Sequence, residues 1–185
     1  MKLYFVTTNE YKEREVRSIL SSSGIEVVVL KHRVQEILDV DLEKVVRDKC
    51  LKAFEKIRSP VAVEHGALCM NGLDGLPGGL SKAVWDSIGG KICQTIPTGA
   101  SREAVHRVMV AYCDGHRVHV FEGSTKGTIP DAPRGDYAFQ YDPVFVPEGS
   151  ERTLAELGLP EKLKYSPATK AWAKLVAHLL PMGAK

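Results

Sequence analysis

Cysteine is scarce and scattered: Cys50, Cys69, Cys93 and Cys113 form no C-x-x-C pair. That spacing excludes the common zinc knuckles, and a disulfide framework is not expected in a chain of 185 residues, so the thiols read as reduced and buried. Excess charge is also lacking, with 25 Lys and Arg against 23 Asp and Glu for a net charge of +2. Such a balance excludes the broad basic face of a nucleic-acid binder but leaves room for local lysine clusters that hold a small polyanion. No long hydrophobic run is present. The apolar stretch from Leu3 to Val6 is too short for a signal peptide or a membrane span, so a cytoplasmic location and no membrane partner are expected. Internal repeats, low-complexity tracts and linkers are missing as well. What remains is an ordinary globular composition, 44% hydrophobic and 26% charged, which predicts one domain over residues 1–185.

The pattern along the chain is that of an α/β protein. Leu3 to Val6 reads as a buried strand that runs into a helix cap at Thr7-Thr8-Asn9. Glu10 to Leu20 carries Val16, Ile19 and Leu20 on one helical face, and Ile25 to Leu30 reads as a second buried strand, a β-α-β opening that favours a parallel pair. A helix is predicted from an Asp41 cap to about Ile57, with its apolar stripe on Leu42, Val45, Val46, Cys50 and Ala53. Val61 to Val63 follows as a third strand, and Ser81 to Ile88 as a short helix cut off by Gly89-Gly90. Alternation over residues 104–122 about Asp114-Gly115 predicts a hairpin. The stretch 123–135 reads as turn-rich, irregular sheet. The spacing of Ala168, Ala171, Trp172, Leu175, Val176 and Leu179 predicts a final amphipathic helix.

Two lysines fall on the wrong face. Lys49 lies within the apolar stripe of its helix, and Lys12 shares the inner face of the first one. A lone lysine so placed would be expected to snorkel out, but two of them suggest a shared anionic ligand. Thr7 and Asn9, between the first strand and its helix, add N–H and side-chain donors of the kind that hold phosphate. Trp85 and Trp172 read as packing residues, and His32, His106, His116, His119 and His178 carry no evident role.

These residues fall into an order that resembles the inosine triphosphate pyrophosphatase family over nearly the whole chain. The resemblance rests on Thr7-x-Asn9-x-x-Lys12, on Val63-Glu64 with Leu68, and on Gly75-Leu76-Pro77-Gly78. It continues through Ala132-Pro133-Arg134-Gly135 and Phe139-Gln140-Tyr141-Asp142-Pro143-Val144-Phe145, and ends at Glu161-Lys162 with Ser166. The resemblance implies an elongated mixed α/β sheet with flanking helices and a long central cleft, often in a homodimer, for cleavage of aberrant purine triphosphates to monophosphate and pyrophosphate. It implies Thr7, Asn9, Lys12, Lys49 and Lys162 at the triphosphate, with Glu36 and Glu64 at a Mg²⁺ ion. Phe139, Gln140, Tyr141, Asp142 and Ser166 would then lie at the purine.

Two departures from the family pattern affect function. Where the family has Glu-Asp-(Ser/Thr)-Gly-Leu, this chain has Glu64-His65-Gly66-Ala67-Leu68, so the expected catalytic Asp is His65. Where the family has Ser-His-Arg, whose His and Arg read the 6-oxo group, it has Ser166-Pro167-Ala168. Gln140 also replaces a glycine and Leu163 an asparagine. Histidine can act as a base, but it adds no negative charge to a metal that prefers oxygen ligands. The leading expectation is therefore a catalytically impaired nucleotide sensor or regulatory subunit. One such use of the fold pairs a pyrophosphatase-like subunit with a Sir2-like NAD-consuming effector in a Kongming-type anti-phage system responsive to deoxyinosine triphosphate. The alternative is an active pyrophosphatase with His65 as substitute base. A purely structural partner is the third reading, against which the retained lysines argue.

Overall fold

The computed structural model describes residues 1–136 and 139–180. Strand β1 (Lys2–Val6) pairs in parallel with β2 (Glu26–Leu30) on one side and with β3 (Val61–Met70) on the other. Helix α1 (Glu10–Ile19) joins the first two strands and α2 (Leu42–Ile57) precedes the third. Both helices begin where the sequence offers a cap: Asn9 Oδ1 accepts from the N–H groups of Tyr11 and Lys12, and Asp41 Oδ1 from those of Glu43 and Lys44. Beyond β3 the sheet turns antiparallel. The short β4 (Pro77–Gly78) pairs with β3, and helix α3 (Ser81–Ile88) follows it. Then comes the hairpin of β5 (Glu103–Cys113) and β6 (Val118–Thr128), edged by β7 (Val146–Pro147). The order across the sheet is β2-β1-β3-β5-β6-β7, with β4 off that path, so both hands of strand pairing meet at β3.

Three elements differ from the expectation. The third strand continues past Val63 through Glu64, His65 and Gly66 to Met70, because its ladder with β5 is unbroken over ten residue pairs. The stretch after residue 122 stays regular as far as Thr128, in register with β5. A further helix, α4 (Leu154–Tyr165), was not legible, because Gly158 (φ 68°) and Pro160 interrupt its periodicity. Its start is nevertheless written in the sequence. Thr153 and Glu156 form a reciprocal capping box, with Thr153 Oγ1 accepting from Glu156 N and the Glu156 carboxylate from Thr153 N. The last helix, α5 (Pro167–Leu179), lies where the spacing puts it.

Strand alternation decides where the functional side chains point. Ala62 of β3 packs with Phe5, Val110 and Trp172 under α1 and α5. Val61, Val63 and Ala67 pack instead with Val46 and Cys50 under α2. A period of two therefore sends Glu64 to the α1/α5 face and His65 to the α2 face. A third apolar cluster, around Met70, Ile92, Phe145 and Leu154, fills the far end of the sheet. Helix α5 lies directly on β6: a Cβ added at Gly123 would stand 2.0 Å from the Pro167 carbonyl oxygen and 2.9 Å from the Ala171 nitrogen. Both are backbone atoms and cannot move aside singly. Gly123→Ala is expected to cost about 3 kcal/mol and to lower the melting temperature by about 6–12 °C, measured by thermal unfolding.

Candidate functional site

A cleft of about 1330 Å³ opens between the N-terminus of α1, the segment 32–38, helix α2, the middle of β3 and the start of α3. Lys12, Arg33, Lys49, Lys52, Lys56 and Lys82 line it against only Glu36, Glu55 and Asp86. The chain is almost neutral, yet its cleft is cationic, and this selects an anionic occupant. At the α1 end, Thr7 Oγ1 accepts from Asn9 N at 3.1 Å. Because the oxygens of Thr7 and Asn9 are spent on the cap, the Thr7 hydroxyl hydrogen and the Asn9 amide nitrogen are what they can offer a ligand.

Both misplaced lysines converge on one atom. Lys12 Nζ and Lys49 Nζ donate to the backbone carbonyl of Glu64 from 3.3 and 3.1 Å, one from α1 and the other from α2. Each also has a carboxylate, Lys12 with Glu64 Oε1 at 3.2 Å and Lys49 with Glu36 Oε1 at 2.6 Å. Burial, then the neighbouring Lys12 charge, pulls the Lys49 ammonium below the ordinary lysine range. The remaining capacity of the Glu64 carboxylate goes to Trp172 Nε1, which donates to Oε2 from 2.7 Å on the same face of the sheet. Glu64 is only 3% exposed.

His65 is buried on the other face. Its Nε2 stands 3.2 Å from the Gly79 carbonyl oxygen, to which it can donate. Its Nδ1 stands 3.6 Å from Glu36 Oε2, so each ring nitrogen faces an oxygen that can only accept, a setting that suits the doubly protonated ring. Burial holds the imidazole below its usual pKa, although Glu36 works in the opposite direction. Burial would also raise Glu36, but hydrogen bonding to His65 and the Lys49 charge outweigh it and keep the carboxylate ionised. The arrangement is a neutral base beside a fixed negative charge that can stabilise it once protonated. No group of three or more His, Cys, Asp or Glu side chains among the described residues is gathered to hold a metal.

The residues expected at the purine divide into two groups. Gln140 lines the cleft, in a left-handed conformation (φ 38°) that suits glycine better than glutamine. Phe139 lies 5.5 Å from the Tyr11 ring, with Lys162 Nζ 4.7 Å above its own centroid. Lys162 itself does not line the cleft. It is 1% exposed and sits between Asp142, at 2.7 Å, and Glu15. One ammonium cannot balance two carboxylates, and burial raises both acids, Asp142 to about 7 and Glu15 in the same direction. Asp142 Oδ1 has no hydrogen-bond partner among the described residues. Tyr141 faces inward, donating its hydroxyl to the Ser81 carbonyl and lying 4.9 Å from the Trp85 ring. Ser166 is the N-cap of α5, its Oγ accepting from Ala168 N.

Sequence reasoning missed Glu15, Trp172 and His106. Glu15 follows Lys12 by three residues on α1, so helical spacing could have revealed it. Trp172 reads as core, and nothing local says that its N–H reaches a carboxylate 108 positions away. His106 continues the alternation of Val108 and Val110 and passed as one more strand residue.

Comparison with known proteins agrees with this geometry. Residues 3–178 match the model of the Ham1 family. A dITP/XTP pyrophosphatase of Methanopyrus kandleri is 38% identical over 173 residues, covering 92% of each chain. One from Pyrococcus horikoshii is 37% identical over 172 residues, again covering 92% of each. The solved HAM1 protein of Coxiella burnetii superposes with a TM-score of 0.82 at 21% identity, covering 97% of this chain and 98% of its own. The β3 junction, the capped α1 and the cationic cleft are thus features of a chain that belongs to the Ham1 family.

Proposed function

We propose that the protein is an active nucleoside triphosphate pyrophosphatase acting on non-canonical purine nucleotides, with His65 as its base. The observation that carries this reading is the pair of ammonium groups of Lys12 and Lys49 on the Glu64 carbonyl, at the wall of a cationic cleft beside His65. Two like charges converging on one acceptor are best satisfied by a polyanion. The family relatives named for dITP and XTP favour hydrolysis over the sensor reading that the loss of an aspartate at position 65 had suggested. Their names also support a 6-oxopurine base.

On this reading the triphosphate lies along the capped end of α1, with Thr7, Asn9 and Lys12 donating to its oxygens. Glu36 suits a divalent cation because it is ionised and exposed to the cleft, and Mg²⁺ commonly takes one or two carboxylates with substrate phosphates and water. Glu64 suits it less, since Trp172 and Lys12 already occupy its oxygens. A bound metal would supply charge neutralisation on the phosphates. His65 Nδ1 takes a proton from water as the water oxygen bonds to the α-phosphorus and the α–β bridging bond breaks. Glu36 stabilises the imidazolium so formed. Lys12 and Lys49 neutralise the charge that develops on the departing pyrophosphate. Asp142, Lys162 and Phe139 form the base end, an aromatic face beside buried polar groups.

Release of pyrophosphate from deoxyinosine, xanthosine and the ordinary triphosphates with Mg²⁺ is the direct test. Turnover faster with the 6-oxopurines is expected, whereas calorimetric binding without turnover would restore the sensor reading. His65→Ala should lower kcat by about 10²–10⁴-fold, while His65→Asp, which restores a carboxylate base, should retain activity. Glu36→Gln should raise the metal concentration needed for half-maximal rate and leave melting temperature little changed, measured by titrating Mg²⁺ into chelator-treated enzyme.

A further inference from the structure

His106 stands on β5, directly opposite Leu68 on β3 and Thr125 on β6. Its ring packs edgewise on Phe145, with centroids 5.6 Å apart. Among the described residues neither ring nitrogen has a hydrogen-bond partner, and Nδ1 is fully buried. The residue is half-buried, but its Nδ1 is sealed from solvent with nothing to bond, and such an atom in a native protein calls for an explanation. The surroundings supply one. Nε2 lies 3.9 Å from where a Cβ of Gly66 would stand, and Gly66 lines the cleft. With no side chain at residue 66, nothing from that cleft-lining position covers the imidazole, which stands just behind it.

Proton placement follows from the burial of Nδ1. An unmatched buried acceptor is tolerated more readily than an unmatched buried N–H, so Nδ1 is the bare nitrogen and Nε2 carries the hydrogen. Burial, and then the charges of Lys162 and Lys12, push the imidazole down to about 3, so it stays neutral under working conditions. His106 therefore presents a single neutral N–H donor behind Gly66, between the lysine of the phosphate end and the lysine of the base end. Beyond it lie Asp142, with its free Oδ1, and the ring of Phe139 beneath Lys162.

We propose that His106 is a specificity-determining residue whose Nε2–H donates to the oxo edge of the purine and disfavours a 6-amino group. This rests on the pyrophosphatase reading and deepens it. An oxo oxygen accepts from the imidazole N–H, whereas the amino group of adenine would place a donor against a donor. The neutral ring can sort oxo from amino without adding to the attraction that every triphosphate feels.

The test compares kcat/KM for deoxyinosine and deoxyadenosine triphosphates in wild type, His106→Phe, His106→Leu and His106→Gln. Phe keeps the ring packing on Phe145 and removes the donor, Leu is a second variant without a donor should Phe fail to fold, and Gln restores an N–H. The oxo-to-amino ratio should fall about tenfold in the Phe or Leu variant and recover in part with Gln. A folded Phe or Leu variant with a ratio within about twofold of wild type overturns the proposal, because the histidine would then be a packing residue only. If wild type binds nucleotides without cleaving them, the pyrophosphatase reading fails. The same ratio is then taken from calorimetric Kd values, where a fall of the same size supports the role of His106 and an unchanged ratio overturns it. Absence of binding of either nucleotide to wild type overturns both readings.

Discussion

Glu64 is the junction on which the rest of the site depends. Its backbone carbonyl holds Lys12 of α1 and Lys49 of α2, and its carboxylate holds Lys12 again and Trp172 of α5. Three helices are thereby tied to one residue of the strand where parallel and antiparallel pairing meet. Removing the carboxylate alone would leave Lys12 and an indole N–H without their buried partner, a loss of about 3–5 kcal/mol. Its location follows from chain geometry. Strand alternation turns Glu64 toward α5 and leaves its carbonyl at the strand edge, where lysines from two helices can reach it.

Parts of this were legible because they repeat with a period. The β-α-β opening, helix α2 with Lys49 inside its stripe, the hairpin about Asp114-Gly115 and the closing helix all announce themselves through spacing of 2 or 3.6 residues. The lysines stood out for the same reason, since a charge on an apolar face breaks a visible rule. Helix α4 broke the rule differently. Gly158 and Pro160 removed its periodicity, and with it the context of Lys162, which had been expected at the phosphates and lies instead between Glu15 and Asp142. Contacts between distant residues, such as Trp172 with Glu64, have no local signature at all. Residue identity at one site was legible and misleading: His65 reads as a lost acid, but the fold sets it between the Glu36 carboxylate and the Gly79 carbonyl.

Charge arithmetic then separates the cleft wall from the buried cluster around Lys162. At the phosphate end, Lys12 and Lys49 face Glu64 and Glu36, two against two, with a neutral His65 adding nothing. An aspartate at position 65 would tip that set toward binding a bare cation. With histidine the set is balanced, so on the proposed reading the metal arrives with its nucleotide, whose own phosphates carry most of the ligands it needs. In the buried cluster of Lys162, Asp142 and Glu15, which the proposed reading puts at the base, one lysine faces two carboxylates and burial raises both acids. Acids raised in this way can offer a donor or an acceptor according to what sits against them. His106, held neutral, cannot change sides in the same way, and discrimination between oxo and amino edges therefore falls to the group that does not titrate rather than to the pair that does.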